Sequence, residues 1–417
     1  MRRILMIFVA MACLPPAAWP QGAPLGPEFR ANSYTTGNQR EHSVTSDASG
    51  NFVVVWRSEG QDGSLFGVFG QRYASSGAPL GPEFRVNSYT TNSQYHPSVA
   101  ADSSGNFVVV WKSVGQLGAY GSIFGQRYAS SGAPLGPEFR VNTTTSNGPQ
   151  LPVVAADASG NFLAVWIADD GAPGDVNLFG QRFAGSGAPL GPEFRVNTYT
   201  TFPQVEQAVT ADSTGNFVVV WRSDFEDGLY GGIFGQRFAG SGAPLGPEFR
   251  ANTFTNENQT RPSVAAGSAG DFVVVWQSYT QDGSIWGVFG QRYAASGAPA
   301  GSEFRVNTFT TDTQGSARVA ADASGNFVVT WGGYQQDGSG AGILGQRYLG
   351  SGAPFGPEFR VNTTTTNNQY VSSVAADTAG NFVVVWQSLG QDGPAYGVFG
   401  QRFGQIVPVE LMHFHVE

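Results

Sequence analysis

One set of repeated residues in this sequence could bind a metal ion. It is the acidic segment Gln61-Asp62-Gly63-Ser64, whose aspartate returns in later copies as Asp282, Asp337 and Asp392. Carboxylates suit Ca²⁺, but that ion prefers about six to eight oxygen ligands, and each segment offers a single carboxylate. Asp-Gly is also a strong hairpin turn signal. The sequence therefore favours a turn role, keeps calcium as an alternative, and predicts no other cofactor.

A second set consists of aromatic and histidine side chains near these segments. The apolar face of a sugar ring can stack on an aromatic side chain, while neighbouring Asp, Gln or Ser groups bond its hydroxyls. The candidate ligand-binding residues are Phe66, Tyr95, His96, Tyr120, Tyr230, Trp286, Tyr370 and Tyr396. They indicate a glycan or a protein as the partner.

Catalytic residues are harder to nominate. The four histidines are His42, His96, His413 and His415, and the last two lie in the C-terminal tail. Their spacing alone assembles neither a Ser-His-Asp set nor a histidine-rich metal site. No Gly-rich phosphate loop precedes a helix. The sequence therefore predicts no catalytic residue.

The candidate residues are positioned by a repeat of 55 residues. Its tryptophans are Trp56, Trp111, Trp166, Trp221, Trp276, Trp331 and Trp386. At the same interval Phe29-Arg30 recurs through to Phe359-Arg360, and Gln71-Arg72 recurs through to Gln401-Arg402. Seven copies without an insertion or deletion indicate a repeat architecture.

Each copy is typical of four short strands. In the second copy they are 81–87, which is half apolar, 97–101, which has small side chains, 107–111, which is unbroken apolar, and 122–128. An unbroken β-branched run suits a strand that is buried on both faces. No stretch shows helical periodicity, and Gly and Pro punctuate every connection.

These strands predict an all-β fold, a seven-bladed β-propeller with four antiparallel strands per blade. A unit of about 55 residues rarely folds alone without disulfides or a metal, and the one cysteine, Cys13, lies outside the repeats. An open solenoid needs polar end caps, which the first and seventh copies lack. Small side chains place the 97–101 strand innermost. The seventh blade then lacks an outer strand, and residues 27–32 are predicted to close the ring.

The connections of such a disc alternate between two faces. One face keeps the turn Asp102-Ser103-Ser104-Gly105-Asn106 and a Ser-Gly-Ala-Pro turn almost unchanged, whereas the other carries the aromatic tips and the variable segments around Arg40 and Tyr95. Loops on a rigid scaffold often carry function, so the variable face is a candidate contact surface. Neutral sequence change in loops that tolerate substitution would produce the same pattern. Residues of the Arg72 and Glu83 type could pair across neighbouring strands as structural contacts.

The N-terminus has the layout of a signal peptide. Met1-Arg2-Arg3 precedes an apolar run from Ile4 to Leu14, and Pro15-Pro16-Ala17-Ala18 follows it. A run of about 11 residues is too short to span a bilayer. We therefore predict a signal peptide at 1–21, the propeller at 22–404 and a tail at 405–417. The mature chain is expected to be secreted, periplasmic or at the cell surface, and lipidation of Cys13 is the less favoured alternative.

The net charge of the chain indicates which classes of binding partner to expect. The chain has 22 lysine and arginine residues against 31 aspartate and glutamate residues, a formal net charge of −9. Nucleic acids and anionic membranes attract basic clusters, so neither is expected as a partner. The chain is expected to be a monomer without a transmembrane segment.

The runs Gly-Asn-Phe-Val-Val-Val-Trp, Gly-Gln-Arg-Tyr and Gly-Pro-Glu-Phe-Arg-Val-Asn resemble repeats in large secreted and surface proteins of Gram-negative bacteria. The resemblance covers residues 22 to about 404. That family is often found beside adhesion-type and calcium-binding modules, so the resemblance implies export and surface display but no reaction. The Phe-Gly pair at 69–70 is also similar to that of integrin-type propeller repeats, whose aspartate-rich calcium loop is missing here.

Taken together, these features predict an exported, non-catalytic binding or display module that contacts a glycan or protein through its variable face. Two alternatives stay open. Propellers can host hydrolases and lyases with a site on the axis, and a purely structural surface repeat protein would need no site at all.

Overall fold

The computed structural model describes residues 23–118, 120–143, 148–169, 176–228 and 230–407. Within these residues every regular element is a β-strand, and 28 strands form seven four-stranded antiparallel sheets. The described part of the chain contains no helix that could cross a membrane. The predicted signal peptide at 1–21, Cys13 and the end of the tail at 408–417 lie outside the described residues.

The first fourteen strands in chain order are β1 (Phe29–Arg30), β2 (Gln39–Ser46), β3 (Phe52–Glu59), β4 (Phe66–Tyr73), β5 (Phe84–Arg85), β6 (Gln94–Ala101), β7 (Phe107–Ser113), β8 (Ser122–Tyr128), β9 (Phe139–Arg140), β10 (Gln150–Ala156), β11 (Phe162–Asp169), β12 (Val176–Phe183), β13 (Phe194–Arg195) and β14 (Gln204–Ala211). The remaining strands are β15 (Phe217–Asp224), β16 (Gly231–Phe238), β17 (Phe249–Arg250), β18 (Gln259–Ala266), β19 (Phe272–Tyr279), β20 (Trp286–Tyr293), β21 (Phe304–Arg305), β22 (Gln314–Ala321), β23 (Phe327–Tyr334), β24 (Ala341–Tyr348), β25 (Pro354–Arg360), β26 (Gln369–Ala376), β27 (Phe382–Leu389) and β28 (Tyr396–Phe403).

Each sheet is one blade of a seven-bladed β-propeller. Blade 1 has the order β2-β3-β4-β5, and the pattern repeats through to blade 6, β22-β23-β24-β25. The inner strands β2, β6, β10, β14, β18, β22 and β26 contact one another in turn, and β26 contacts β2. This closed ring confirms the predicted fold and the predicted inner strand.

Blade 7 is completed by the first strand of the chain. Its sheet has the order β1-β28-β27-β26, with Phe29 opposite Gly400 and Arg30 opposite Phe399. The Phe29 ring lies over Gly400, where an added Cβ would be 2.5 Å from the ring, so a larger residue would displace the closing strand. The predicted closure by the N-terminal strand is confirmed.

The core lies between the blades. All seven repeat tryptophans are at most 1% exposed. Trp56 of blade 1, for example, belongs to one buried cluster with Val383 and Val385 of blade 7. A blade therefore buries its apolar face on its neighbour, which explains why one repeat alone has no core of its own.

The connections after the first and third strand of each blade lie on one side of the disc, which we call the uniform face. In six of the seven blades an aspartate caps the turn after the first strand, and blade 5 has Gly267 at this position. Asp322 accepts hydrogen bonds from the backbone N–H groups of Ser324 at 2.8 Å and Asn326 at 3.0 Å, and from the Asn326 amide at 2.9 Å. The turn aspartates with the same bond to the asparagine amide are Asp47, Asp102, Asp157, Asp212 and Asp377.

On the same face an arginine of each blade bonds a backbone carbonyl of the next. Arg72 donates to the Ser131 carbonyl, and Arg347 donates to that of Gln405 at 3.0 Å. Glu83 instead accepts from the Ser33 backbone N–H and hydroxyl, at 2.6 and 2.8 Å. The predicted Arg72–Glu83 pairing is therefore wrong, because both residues bond neighbouring blades.

Candidate functional site

The connections after the second and fourth strand of each blade define the variable face. The sequence predicts loops at the segments around Arg40, Tyr95 and Tyr370, whereas the structure places them inside the inner strands β2, β6 and β26. Each of these strands pairs for its first two residues, bulges, and then resumes pairing in a shifted register. The variable side chains thus stand on the inner strands, beside the axis that the closed ring of seven inner strands surrounds. We call the space along this axis the axial channel.

One residue at each bulge has a left-handed backbone. The φ angles are 53° at Glu41, 51° at His96, 50° at Leu151, 56° at Glu206, 55° at Arg261, 56° at Ser316 and 49° at Val371. We call these seven residues the bulge ring. A left-handed conformation costs a residue other than glycine roughly 1–2 kcal/mol, and such strain clusters at functional sites. The backbone repeats in every blade, whereas no bulge residue matches that of the adjacent blade.

Aromatic and cationic side chains meet where blade 1 adjoins blade 2. The Phe66 and Tyr95 rings have centroids 5.7 Å apart. The Arg57 guanidinium lies 4.4 Å from the Phe66 centroid and 5.4 Å from that of Tyr95. These contacts are cation–π interactions, and they fix the orientation of both half-buried rings.

A similar group lies where blade 7 adjoins blade 1. The Arg40 guanidinium lies 3.9 Å from the centroid of the Tyr396 ring, and the Tyr370 ring is 6.5 Å from that of Tyr396. Burial, together with a hydrogen bond to Tyr334, raises the pKa of Tyr370 to about 12. Tyr370 is therefore a neutral hydroxyl group at any physiological pH.

Glu41 joins the first of these groups to the bulge ring. Its Oε1 lies 3.0 Å from the Arg57 guanidinium, while its Oε2 lies 3.2 Å from Nδ1 of His96 and accepts the His96 backbone N–H at 3.0 Å. Burial opposes ionisation of Glu41, but the contacts with His96 and Arg57 outweigh it and hold the pKa of this carboxyl below its ordinary value. Glu41 is thus a carboxylate at neutral pH.

We call the residues of these two junctions the aromatic arc. They are Arg40, Glu41, Arg57, Phe66, Tyr95, His96, Tyr370 and Tyr396. The position of Tyr95 is aromatic only at Tyr95 and Tyr370, and the position of Phe66 is aromatic only at Phe66, Tyr396 and, in blade 5, Trp286. Blade 5 thus has Trp286 without an aromatic residue at the other position, and the arc lies in blades 7, 1 and 2.

The arc contains five of the eight side chains that the sequence singles out. Trp286 lies in blade 5, where its ring packs against Tyr279 at 5.0 Å. Tyr120 and Tyr230 stand one residue before the position of Phe66 in their own blades, and Tyr120 is 68% exposed. These three side chains lie on the variable face but outside the arc.

The repeated acidic segments have structural partners. Asp62 accepts hydrogen bonds from the Asn87 amide and the Ser64 backbone N–H, both at 3.2 Å. Asp282, Asp337 and Asp392 each accept a bond from the corresponding asparagine amide, at 2.9 to 3.2 Å. Among the described residues no three or more His, Cys, Asp or Glu side chains converge to hold a metal ion. Asp62, for example, thus bonds both its own turn and the asparagine after the outer strand.

The local sequence does not mark Arg57 as a site residue, because Arg57 directly follows the core residue Trp56 on a buried strand. A signal was present: the residue after the repeat tryptophan is Arg57, Lys112, Ile167, Arg222, Gln277, Gly332 or Gln387. Such variation after an invariant buried position indicates a side chain that the core does not require.

Comparisons with known proteins show the fold. No family model and no curated protein matches the chain. A protein of unknown function from Dyadobacter fermentans is 10% identical, with a TM-score of 0.53 over 93% of this chain and 100% of that one. A fungal alcohol oxidase in complex with copper is 13% identical, with a TM-score of 0.52 over 92% of this chain and 76% of that one.

The α-L-arabinanase of Penicillium chrysogenum complexed with arabinobiose is 11% identical, with a TM-score of 0.47 over 91% of this chain and 99% of that one. The two structures with TM-scores above 0.5 show a shared fold and carry over no activity at 10% and 13% identity. The topology itself defines the class of protein, a seven-bladed β-propeller.

Proposed function

We propose that this chain is an exported, non-catalytic glycan-binding module whose contact surface is the aromatic arc. The observation that supports it is the arc itself: four aromatic rings, two arginines, a carboxylate and a histidine gathered on three adjacent blades of an otherwise repetitive scaffold. Export is supported by the signal-peptide pattern at 1–21.

The chemistry of the arc suits a saccharide. An aromatic ring buries the apolar face of a sugar, while a charged group beside it bonds the hydroxyls. Phe66 and Tyr95 provide the rings at one junction, and the carboxylate of Glu41 with the imidazole of His96 provides an acceptor and a second polar group beside them. Tyr370 and Tyr396 repeat the pairing of rings at the next junction.

The arc is also preorganised for binding. Arg57 is held by Glu41 at 3.0 Å and lies over two rings, while Arg40 lies 3.9 Å from the centroid of the Tyr396 ring. Ordering a rotamer-rich side chain on binding costs about 0.5–1.5 kcal/mol. Side chains that are ordered before the ligand arrives avoid most of this cost.

The test is binding of the mature protein to an array of bacterial and host glycans, in buffer with calcium and then with a chelator. We expect saturable binding in both buffers, weakened at least tenfold by Tyr95→Ala and by Tyr396→Ala. Tyr230→Ala, a tyrosine on the same face outside the arc, is the matched control and should bind like the parent protein.

Three outcomes would contradict the proposal. Binding that survives both arc substitutions would place the contact elsewhere. Binding lost on chelation would restore the acidic segments as metal sites. Release of reducing sugar from the array glycans would show a propeller enzyme.

A further inference from the structure

The inner strands carry a second layer of side chains, two residues after the bulge ring. Six of its seven members are small and uncharged, and one is an arginine. The layer consists of Ser43, Ser98, Val153, Ala208, Ser263, Arg318 and Ser373. Blade 6 thus places a guanidinium where the other blades have a serine, valine or alanine.

The serines show where this layer points. The hydroxyls of Ser43, Ser98 and Ser263 accept the backbone N–H of the next inner strand, at 3.2 to 3.3 Å. These side chains therefore lie between neighbouring inner strands, at the wall of the axial channel. Arg318 occupies the same position, and its Nη1 donates to the Ala317 carbonyl at 2.9 Å.

The surroundings of Arg318 place its charge near the axis. Burial lowers the pKa of Arg318, Arg261 lowers it further, and Glu206 opposes the shift. Burial lowers the pKa of His42 to about 4, and the positive charge of Arg318 adds to that shift. His42 and Glu206 stand on the inner strands of blades 1 and 4, neither of which adjoins blade 6, whereas Arg261 stands on the adjacent blade 5. His42 and Glu206 therefore act on Arg318 across the channel.

The charge of Arg318 is incompletely compensated. A guanidinium stays protonated in proteins, and removing a charge from water is costly unless it is paired and hydrogen-bonded. Among the described residues no carboxylate lies within ion-pair distance of Arg318, and His42 is neutral at pH 7. Arg318 is half-buried, so part of its surface remains accessible to solvent.

We propose that Arg318 binds the carboxylate of a ligand that enters the channel from the variable face, so that the module selects acidic glycans. The selection of glycans rests on the proposed function, whereas the anion site does not. A planar guanidinium matches a carboxylate with two parallel hydrogen bonds.

The experiment is calorimetric titration of the mature protein with a galacturonate oligomer and with its methyl ester, for the parent, Arg318→Ser and Arg318→Lys. Serine is the residue at Ser43, Ser98, Ser263 and Ser373, so Arg318→Ser should fold and melt at the same temperature or higher. We expect the parent to bind the acid at least tenfold more tightly than the ester, Arg318→Ser to bind the two equally, and Arg318→Lys to lie between them.

Free glucuronate and inorganic phosphate, each at constant ionic strength, are the small-molecule arms of the test. Glucuronate should raise the melting temperature of the parent and not that of Arg318→Ser.

Glycan binding with no preference for the acid would overturn this inference and leave the proposed function standing. A glucuronate effect that needs Arg318, without binding of any glycan, would overturn the proposed function and support the anion site. A larger effect of phosphate than of glucuronate, or an equal acid preference in Arg318→Ser, would overturn the carboxylate assignment.

Discussion

The uniform and variable faces of this propeller share one backbone repeat and use it differently. On the uniform face the repeated side chains make the same bonds in blade after blade, with Asp322 capping its turn and Arg72 bonding the next blade. On the variable face the repeated feature is the bulge in the inner strand, and its side chain changes from Glu41 to His96 to Leu151 along the first three blades.

The difference between the two faces shows which side chains the fold requires. A capping aspartate supplies acceptors that the turn itself lacks, so replacing Asp322 by an apolar residue costs stability. The bulge backbone is the same in every blade whichever residue stands there, so the fold does not prescribe its side chain. The arginines of the aromatic arc follow the same rule: Arg40 and Arg57 contact rings and carboxylates that most other blades lack.

The largest expected effect is on the uniform face. Asp322 is 6% exposed and accepts three hydrogen bonds. Because hydrogen bonds to charged groups contribute about 1.5–3 kcal/mol and buried donors would be left unpaired, Asp322→Ala should lower the free energy of unfolding by about 2–4 kcal/mol. Urea denaturation measures it, with Tyr120→Ala on the variable face as the control that should change by less than about 0.5 kcal/mol. Equal losses in the two variants would remove the distinction between the faces.

A smaller, pH-dependent effect is expected in blade 4. In blade 2 the amide of Gln116 donates to Glu138 at 2.6 Å, but blade 4 has Glu226 at the position of Gln116, facing Glu248. Burial and the charge of Glu248 raise the pKa of Glu226 from 4.5 to about 7. The folded protein therefore retains a proton that the unfolded chain loses in this window, and stability falls as the pH rises from about 4.5 to about 7.

Glu226→Gln should remove this loss and restore the contact made in the other blades. Each unit of pKa shift corresponds to about 1.4 kcal/mol, and solvent screening of a half-exposed group reduces the total to about 1–2 kcal/mol. We expect the variant to be more stable than the parent by that amount at pH 8, and to match it at pH 4. Thermal melts at the two pH values measure the difference; an equal gain at both would mean that the carboxylate pair is not its cause.

The smallest effect is expected for a residue that the sequence names as a ligand contact. The Trp286 ring packs on Tyr279 in blade 5, away from the arc. Trp286→Ala should therefore change glycan affinity by less than about twofold, since it removes no arc contact. A tenfold loss in the same titration would move the binding site toward blade 5.

The fold follows from the sequence because its period is unbroken. The tryptophan interval, the absence of cysteine from the repeats and the spare strand at Phe29 together leave a closed ring of seven blades. The arc does not follow in the same way. Arg57 and Tyr95 are on different blades and meet only after the ring packs, and a bulge of one residue reverses which side chains face the channel. Arg318 carries no local motif and becomes visible only when the seven inner strands are aligned around the axis.

The most direct test of the proposed binding surface replaces the arc with residues that the chain itself uses elsewhere. Thr260 and Ala341 occupy the positions of Tyr95 and Phe66 in other blades. The variant combines Arg40→Thr, Tyr95→Thr, Tyr370→Thr, Phe66→Ala and Tyr396→Ala. Its glycan-array binding and its melting temperature are measured beside those of the parent protein. The proposed surface predicts loss of binding by about 100-fold or more, with a melting temperature within a few degrees of the parent; retained binding would show that the arc is not the contact surface.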